Sequence, residues 1–158
     1  MLPKTHLIYF SPTGTTRKII KQVAVGLDAR DIEHHDLTRM DQEFSLCLGD
    51  GLAVIGVPVY AGRVPEMFLK RIENLSGEGI PAILLVLYGN RAYEDALVEL
   101  RDVVAAKGFN VVAAGAFIGE HSYSTEDRPV ALNRPDAEDL RRAKEFGNAI
   151  SRKLCSND

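Results

Sequence analysis

Tryptophan is absent from this chain of 158 residues, and cysteine occurs twice, at Cys47 and Cys155. Two thiols so far apart in sequence suggest neither a disulfide framework nor a metal knuckle. No apolar run is long enough to span a bilayer. The first ten residues carry one lysine and no long apolar stretch, so no signal peptide is visible. A cytoplasmic protein without membrane contact is expected. Basic residues are not in excess, since 19 Lys and Arg stand against 22 Asp and Glu for a net charge of −3. Nucleic-acid binding is thereby disfavoured, and the clusters Arg17, Lys18, Lys21 and Arg141, Arg142, Lys144 read as solvated helix faces. Gly-x-x-x-x-Gly-Lys-Ser/Thr is missing, which argues against a nucleotide triphosphatase. A strand followed by Gly-x-Gly-x-x-Gly is missing too, and with it the nicotinamide signature.

What is present has the balance of a globular chain, with 46% hydrophobic and 26% charged residues, enough for a core. No repeat or composition break divides it, so residues 1–158 are read as a single domain. Strand-like runs fall at 5–10, 31–36, 52–57, 81–88 and 110–118. The third and fourth are continuously apolar, as strands covered on both faces are; the second is polar and suits an edge. Helical patterns fall at 15–27, 64–74, 92–107 and 136–154, with Gly108 closing the third and Pro135-Asp136 opening the last. At most a brief irregular helix is expected within 37–51. Strands alternating with helices predict right-handed parallel crossovers and a three-layer α/β sandwich.

Ser11-Pro12-Thr13-Gly14-Thr15-Thr16 lies where the first strand turns into the first helix. Four hydroxyls, a glycine and the free N–H groups of a helix start make a concavity suited to a phosphate dianion. Pro12 costs nothing there, because that position need not donate. The same residues also read as a helix cap with spare threonines. Two further segments follow strands three and four: Pro58-Val59-Tyr60-Ala61-Gly62-Arg63-Val64-Pro65 and Gly89-Asn90-Arg91-Ala92-Tyr93. In an open parallel sheet ligands bind beyond the carboxyl ends of the strands, so the three loops converge on one crevice. The adjacent pair His34-His35 points to opposite faces of its strand and is, as a pair, a poor metal site.

On these residues the chain resembles the flavodoxins over nearly its whole length. Ser11, Thr13, Gly14 and Thr16 match the family's first-loop pattern Ser/Thr-x-Thr-Gly-Asn-Thr, with Thr15 in place of the asparagine. The resemblance implies five parallel strands in the order 2-1-3-4-5 and FMN held by the loops after strands one, three and four. It implies that Ser11, Thr13, Thr15 and Thr16 coordinate the FMN phosphate. Tyr60 falls where the family often stacks a tryptophan on the isoalloxazine, and Tyr93 where it stacks a tyrosine, with Val59 and Ala61 beside them. Both tyrosines have a plainer reading, Tyr60 capping the core and Tyr93 filling a helix–sheet seam. Ala61-Gly62 is placed either for the peptide flip flavodoxins use on reduction or for an ordinary turn. Backbone N–H groups of Gly89, Asn90 and Arg91, after Tyr88, would meet the pyrimidine edge. Arg63 and Arg91 depart from the acidic surroundings of many flavodoxins, and a cation near the ring would raise the potential.

A narrower likeness joins residues 88–97, 115–124 and Arg134-Pro135-Asp136 to flavodoxin domains fused to ferredoxin-type iron–sulfur domains in anaerobic microbes. It implies an FMN-binding electron carrier whose redox partner is a ferredoxin-type iron–sulfur protein. Two alternatives stand beside it. One is an FMN-dependent reductase passing electrons from a nicotinamide to a quinone-type acceptor. The other is a flavin-free scaffold with another phosphate ligand. His121, in a polar loop after the fifth strand, either donates a proton to a reduced substrate or braces its own loop.

Overall fold

Five parallel strands form the central sheet of the computed structural model, which describes residues 2–40, 42–89, 92–120 and 125–156. The elements are β1 (Thr5–Tyr9), α1 (Thr15–Gly26), β2 (Ile32–Asp36), β3 (Ser45–Leu48), β4 (Leu52–Pro58) and α2 (Glu66–Arg71). There follow β5 (Asn74–Gly77), β6 (Pro81–Tyr88), α3 (Ala96–Ala106), β7 (Asn110–Ile118) and α4 (Ala137–Ser156). The sheet runs β2-β1-β4-β6-β7, every neighbour parallel, which is the expected 2-1-3-4-5 when its own strands are counted.

Leu7 to Tyr9, Leu52 to Val57 and Ala82 to Leu87 are buried throughout, because helices cover both faces. Alternate side chains enter different cores: Ile8, Ile55 and Leu84 join Phe68 and Leu100, while Leu7, Val54 and Leu85 join Ile20 and Ile150. That alternation hides inside runs that read as uniformly apolar. Polar β2 is the edge its sequence suggested. The chain leaves β1 for β2 on one side and crosses back to β4 on the other, so the strand order reverses beside β1.

Residues 37–51 correct the sequence reading. They hold β3 instead of a helix, and β3 pairs in parallel with β5, Ser45 opposite Asn74, in a small second sheet. The second helix accordingly stops at Arg71, short of the expected 74. Four-residue strands carry too little periodicity to announce themselves, and this pair forms only once distant segments meet. Among the described residues no helix is long and apolar enough to cross a membrane.

Two contacts fix the helices of one face. A Cβ on Gly26 would strike the Lys144 carbonyl, and one on Gly147 would strike the Val23 carbonyl, so α1 and α4 touch backbone to backbone. Gly147→Ala is expected to destabilise the fold by about 1–3 kcal/mol through overpacking; an unchanged urea midpoint would contradict this close approach. At the start of α4 the Asp139 N–H donates to Asp136 Oδ1 at 3.0 Å, and the Asp136 N–H donates to Asp139 Oδ2 at 2.9 Å. This reciprocal cap is completed by Arg134, whose Nη2 donates to Asp139 Oδ1 at 2.6 Å. Arg134 first, and the Asp136 N–H after it, hold the buried Asp139 carboxyl below its ordinary 3.8 against the opposing effect of burial. A carboxyl lowered in the native state stabilises above its unfolded value and ceases to do so as pH falls through its native one. Asp139→Asn should cost about 1–3 kcal/mol at neutral pH and flatten the stability loss below about pH 4, as read from urea unfolding at a series of pH values.

Candidate functional site

The chain leaves β1 through a tight turn, in which the Gly14 N–H donates to the Ser11 carbonyl at 3.1 Å, and enters α1 from there. Gly14 has φ of 82°, a left-handed conformation that a side chain resists, with open space where a Cβ would stand. Ser11 Oγ accepts the Arg17 N–H at 3.0 Å and retains its own proton to donate outward. Thr13 and Thr15 share one hydroxyl contact at 3.3 Å. Among the described residues no acceptor faces the N–H groups of Thr13, Thr15 and Thr16. The first turn of α1 carries no acidic side chain, so the positive end of the helix is uncompensated.

Thr16 is the informative residue. It is buried, and its Oγ1 has no hydrogen-bond partner among the described residues. Its methyl fits against Gly56 of β4, where a Cβ would come within 3.0 Å. A buried hydroxyl left unpaired costs about 1–3 kcal/mol unless something supplies its partner.

After β4 the Val59 N–H still donates to the Leu87 carbonyl at 2.8 Å, and then the chain reverses. Tyr60 and Arg63 exchange backbone hydrogen bonds of 2.9 Å around Ala61 (φ 49°) and Gly62 (φ 74°). Two positive φ values in a two-residue loop define a mirror-image turn, a hairpin tip with glycine in its usual place. Pro58 closes β4 itself. Tyr60 is 40% exposed, and its ring meets Phe10 edge-on, with centroids 6.4 Å apart. Arg63 does not stand as a bare cation: its Nε donates to Glu99 Oε2 at 2.6 Å, and Glu99 Oε1 accepts the Val64 N–H at 2.9 Å. The Glu99 carboxylate raises the Arg63 pKa further above its already high value.

After β6, Tyr93 is 38% exposed and leans on Tyr88, ring centroids 5.2 Å apart. Gly89 follows Tyr88 directly; Asn90, Arg91 and His121 lie outside the described residues. The loops interlock. A Cβ on Gly62 would strike the Glu94 carboxylate, and one on Gly119, just past β7, would lie 3.3 Å from Thr15 Oγ1. The end of β1, the 60–63 turn and the segments after β6 and β7 therefore meet at one edge of the sheet, as the sequence reading required.

Three supporting residues escaped that reading. Thr38 Oγ1 accepts the Ser11 N–H at 2.8 Å, Glu99 secures the 63–64 backbone, and Glu94 abuts Gly62. Only register reveals Thr38, because Tyr9 lies opposite Asp36 and the two chains leave the sheet together.

An open parallel sheet with an uncompensated helix start at its switch point and two exposed tyrosines beyond it defines a doubly wound α/β protein whose crevice lies at the carboxyl ends of its strands. A sequence model of the family described as flavodoxin matches residues 7–131. The chain belongs to the flavodoxin family. An uncharacterized protein of Methanocaldococcus jannaschii is 28% identical over 138 residues, covering 85% of this chain and 89% of that one. Oxidised flavodoxin 2 of Bacillus cereus shares the fold with a TM-score of 0.67 at 18% identity, over 95% of this chain and 99% of that one. A flavoprotein of Lactobacillus acidophilus in complex with FMN gives 0.51 at 16% identity, over 72% of this chain and 93% of that one.

The unpaired Thr16 hydroxyl yields a test that needs no ligand. Thr16→Val keeps the shape and removes the orphaned oxygen, so the ligand-free protein should be unchanged or more stable by about 1 kcal/mol. A clear loss of stability would mean that the hydroxyl has a partner within the protein.

Proposed function

We propose that this protein binds FMN and serves as an electron carrier between redox partners. The observation that carries the reading is the cluster of unused donors at the start of α1: the buried Thr16 hydroxyl and the N–H groups of Thr13, Thr15 and Thr16. A phosphate dianion satisfies many such donors at once, and the helix dipole adds to its hold. Ser11 and either Thr13 or Thr15 have hydroxyl protons left to donate. The residues present therefore fit the phosphate of FMN.

Tyr60 and Tyr93 would supply aromatic faces for the flat ring, with Val59, Ala61 and the backbone from Gly89 lining its edge. Bound FMN accepts and returns electrons singly or in pairs. The protein's own part is to fix the ring, exclude water from one side and set the nearby charge. With Arg63 neutralised by Glu99, the 58–65 loop presents no net cation to the ring. Residues 1–158 hold two cysteines, fewer than the four thiolates of a common iron–sulfur cluster, and the redox partner in this reading is a ferredoxin-type iron–sulfur protein.

Titration of FMN into the purified protein tests the reading by loss of free-flavin fluorescence. Saturable quenching is expected, with riboflavin, which lacks the phosphate, binding far more weakly. Thr13→Val and Thr16→Val should each weaken FMN about 10–100-fold, the worth of a charge-assisted hydrogen bond. Full retention of free fluorescence, or equal binding of riboflavin, would overturn the phosphate assignment. Rapid bleaching of the bound flavin by NADH or NADPH without a partner protein would favour the reductase over the carrier.

A further inference from the structure

The edge pair β1–β2 carries a second constellation. In the β1–β2 register His6 lies across from Glu33, and Glu33 and His35 alternate onto the same face of β2. Their side chains converge, with the candidate ligand atoms of all three within 4.8 Å of one another. His6 Nδ1 stands 3.2 Å from His35 Nε2. Glu33 Oε2 is 3.7 Å from His6 Nδ1, and Oε1 is 3.9 Å from His35 Nε2. We propose that His6, Glu33 and His35 form a binding site for a divalent transition-metal ion of the zinc class.

The argument is geometric first. Two ligands bound to one tetrahedral ion at about 2.0–2.2 Å sit about 3.3–3.6 Å apart. The imidazole pair, at 3.2 Å, is close to that spacing, and the Glu33 carboxylate has to swing inward to complete the set. Two imidazole nitrogens and one carboxylate are a donor set that suits zinc and its neighbours and is unsuited to calcium or magnesium, which prefer all-oxygen shells. Each ligand stands on a strand, and Phe44 packs edge-on against His35 at 6.0 Å, so the rings are held in place. Burial pushes both imidazoles below the ordinary histidine value, favouring the neutral form that coordinates metal.

Two features limit the affinity. Lys4 Nζ already holds Glu33 Oε2 at 2.6 Å, leaving Oε1 as the free donor. His6 Nε2 is buried without a partner among the described residues, so it lacks the acceptor that usually braces a ligating imidazole. A micromolar site is expected. The half-exposed Glu33 side opens to solvent, leaving the fourth position to water. The bound ion would fasten edge strand β2 to β1. His34 is the internal control, since it points to the other face, its Nδ1 3.5 Å from the Tyr9 hydroxyl.

Equilibrium dialysis of the purified full chain against zinc chloride near neutral pH tests the proposal. One ion per chain with a micromolar Kd is expected, together with a higher thermal midpoint in the presence of zinc. His35→Gln and Glu33→Gln should each weaken binding about tenfold or more, and His34→Gln should leave it unchanged. Cobalt at the same site should show the intense visible bands of a tetrahedral ion and lose them in His35→Gln. Absence of saturable zinc binding would overturn the site. So would wild-type affinity in both His35→Gln and Glu33→Gln, or an equal loss in His34→Gln.

Discussion

Burial of β1, β4 and β6 on both faces is the constraint from which the rest of this molecule follows. Strands that face helices on either side can carry almost no polar group along their length, because each would need a partner in the core. Functional atoms are pushed to the strand ends. The order reversal beside β1 then separates the loops leaving β1 and β4 and opens a crevice between them. Gly56 shows how tight the arrangement is: with no side chain in the middle of β4, it admits the methyl of Thr16 from the first turn of α1. The Ser11–Thr16 loop is thus seated on the core and inherits its rigidity.

Rigidity also comes from the surroundings of the loop. Thr38 holds the Ser11 N–H, Asp36 Oδ1 accepts the Thr38 N–H at 3.0 Å, and the Arg71 guanidinium donates to the Leu37 and Thr38 carbonyls while lying over the Phe10 ring. These contacts satisfy the backbone where β1 and β2 leave the sheet. They leave unsatisfied the donors that face outward from α1. A cap that fulfilled every N–H at that terminus would give a more stable helix start and a poorer anion site.

The parallel sheet was legible because its apolar strands alternate with patterned helices, whereas the strand order came only from the resemblance to the flavodoxins. The stretch Ser11 to Thr16 stood out as a candidate anion loop because a helix start places neighbouring hydroxyls in one concavity, and the match of Ser11, Thr13, Gly14 and Thr16 came from the resemblance. β3 and β5 were not legible, being four residues each and paired across the fold. Nor was the pairing of Arg63 with Glu99 on α3, because nothing local connects a hairpin tip to a helix that begins a strand later. Sequence reading saw a cation there; the fold supplies its counter-charge.

His34 and His35 show the same limit from the other side. Adjacent residues on a strand face opposite ways, so the pair itself makes no metal site, and that inference holds. What spacing within one segment cannot show is the neighbour across the ladder. The register that sets Glu33 against His6 follows from aligning all of β1 with all of β2. Slipping it by one residue would turn His35 away from His6. The pairing of β1 with β2 that assembles this cluster also brings the two chains to the carboxyl-end crevice, although the two sites share no residue.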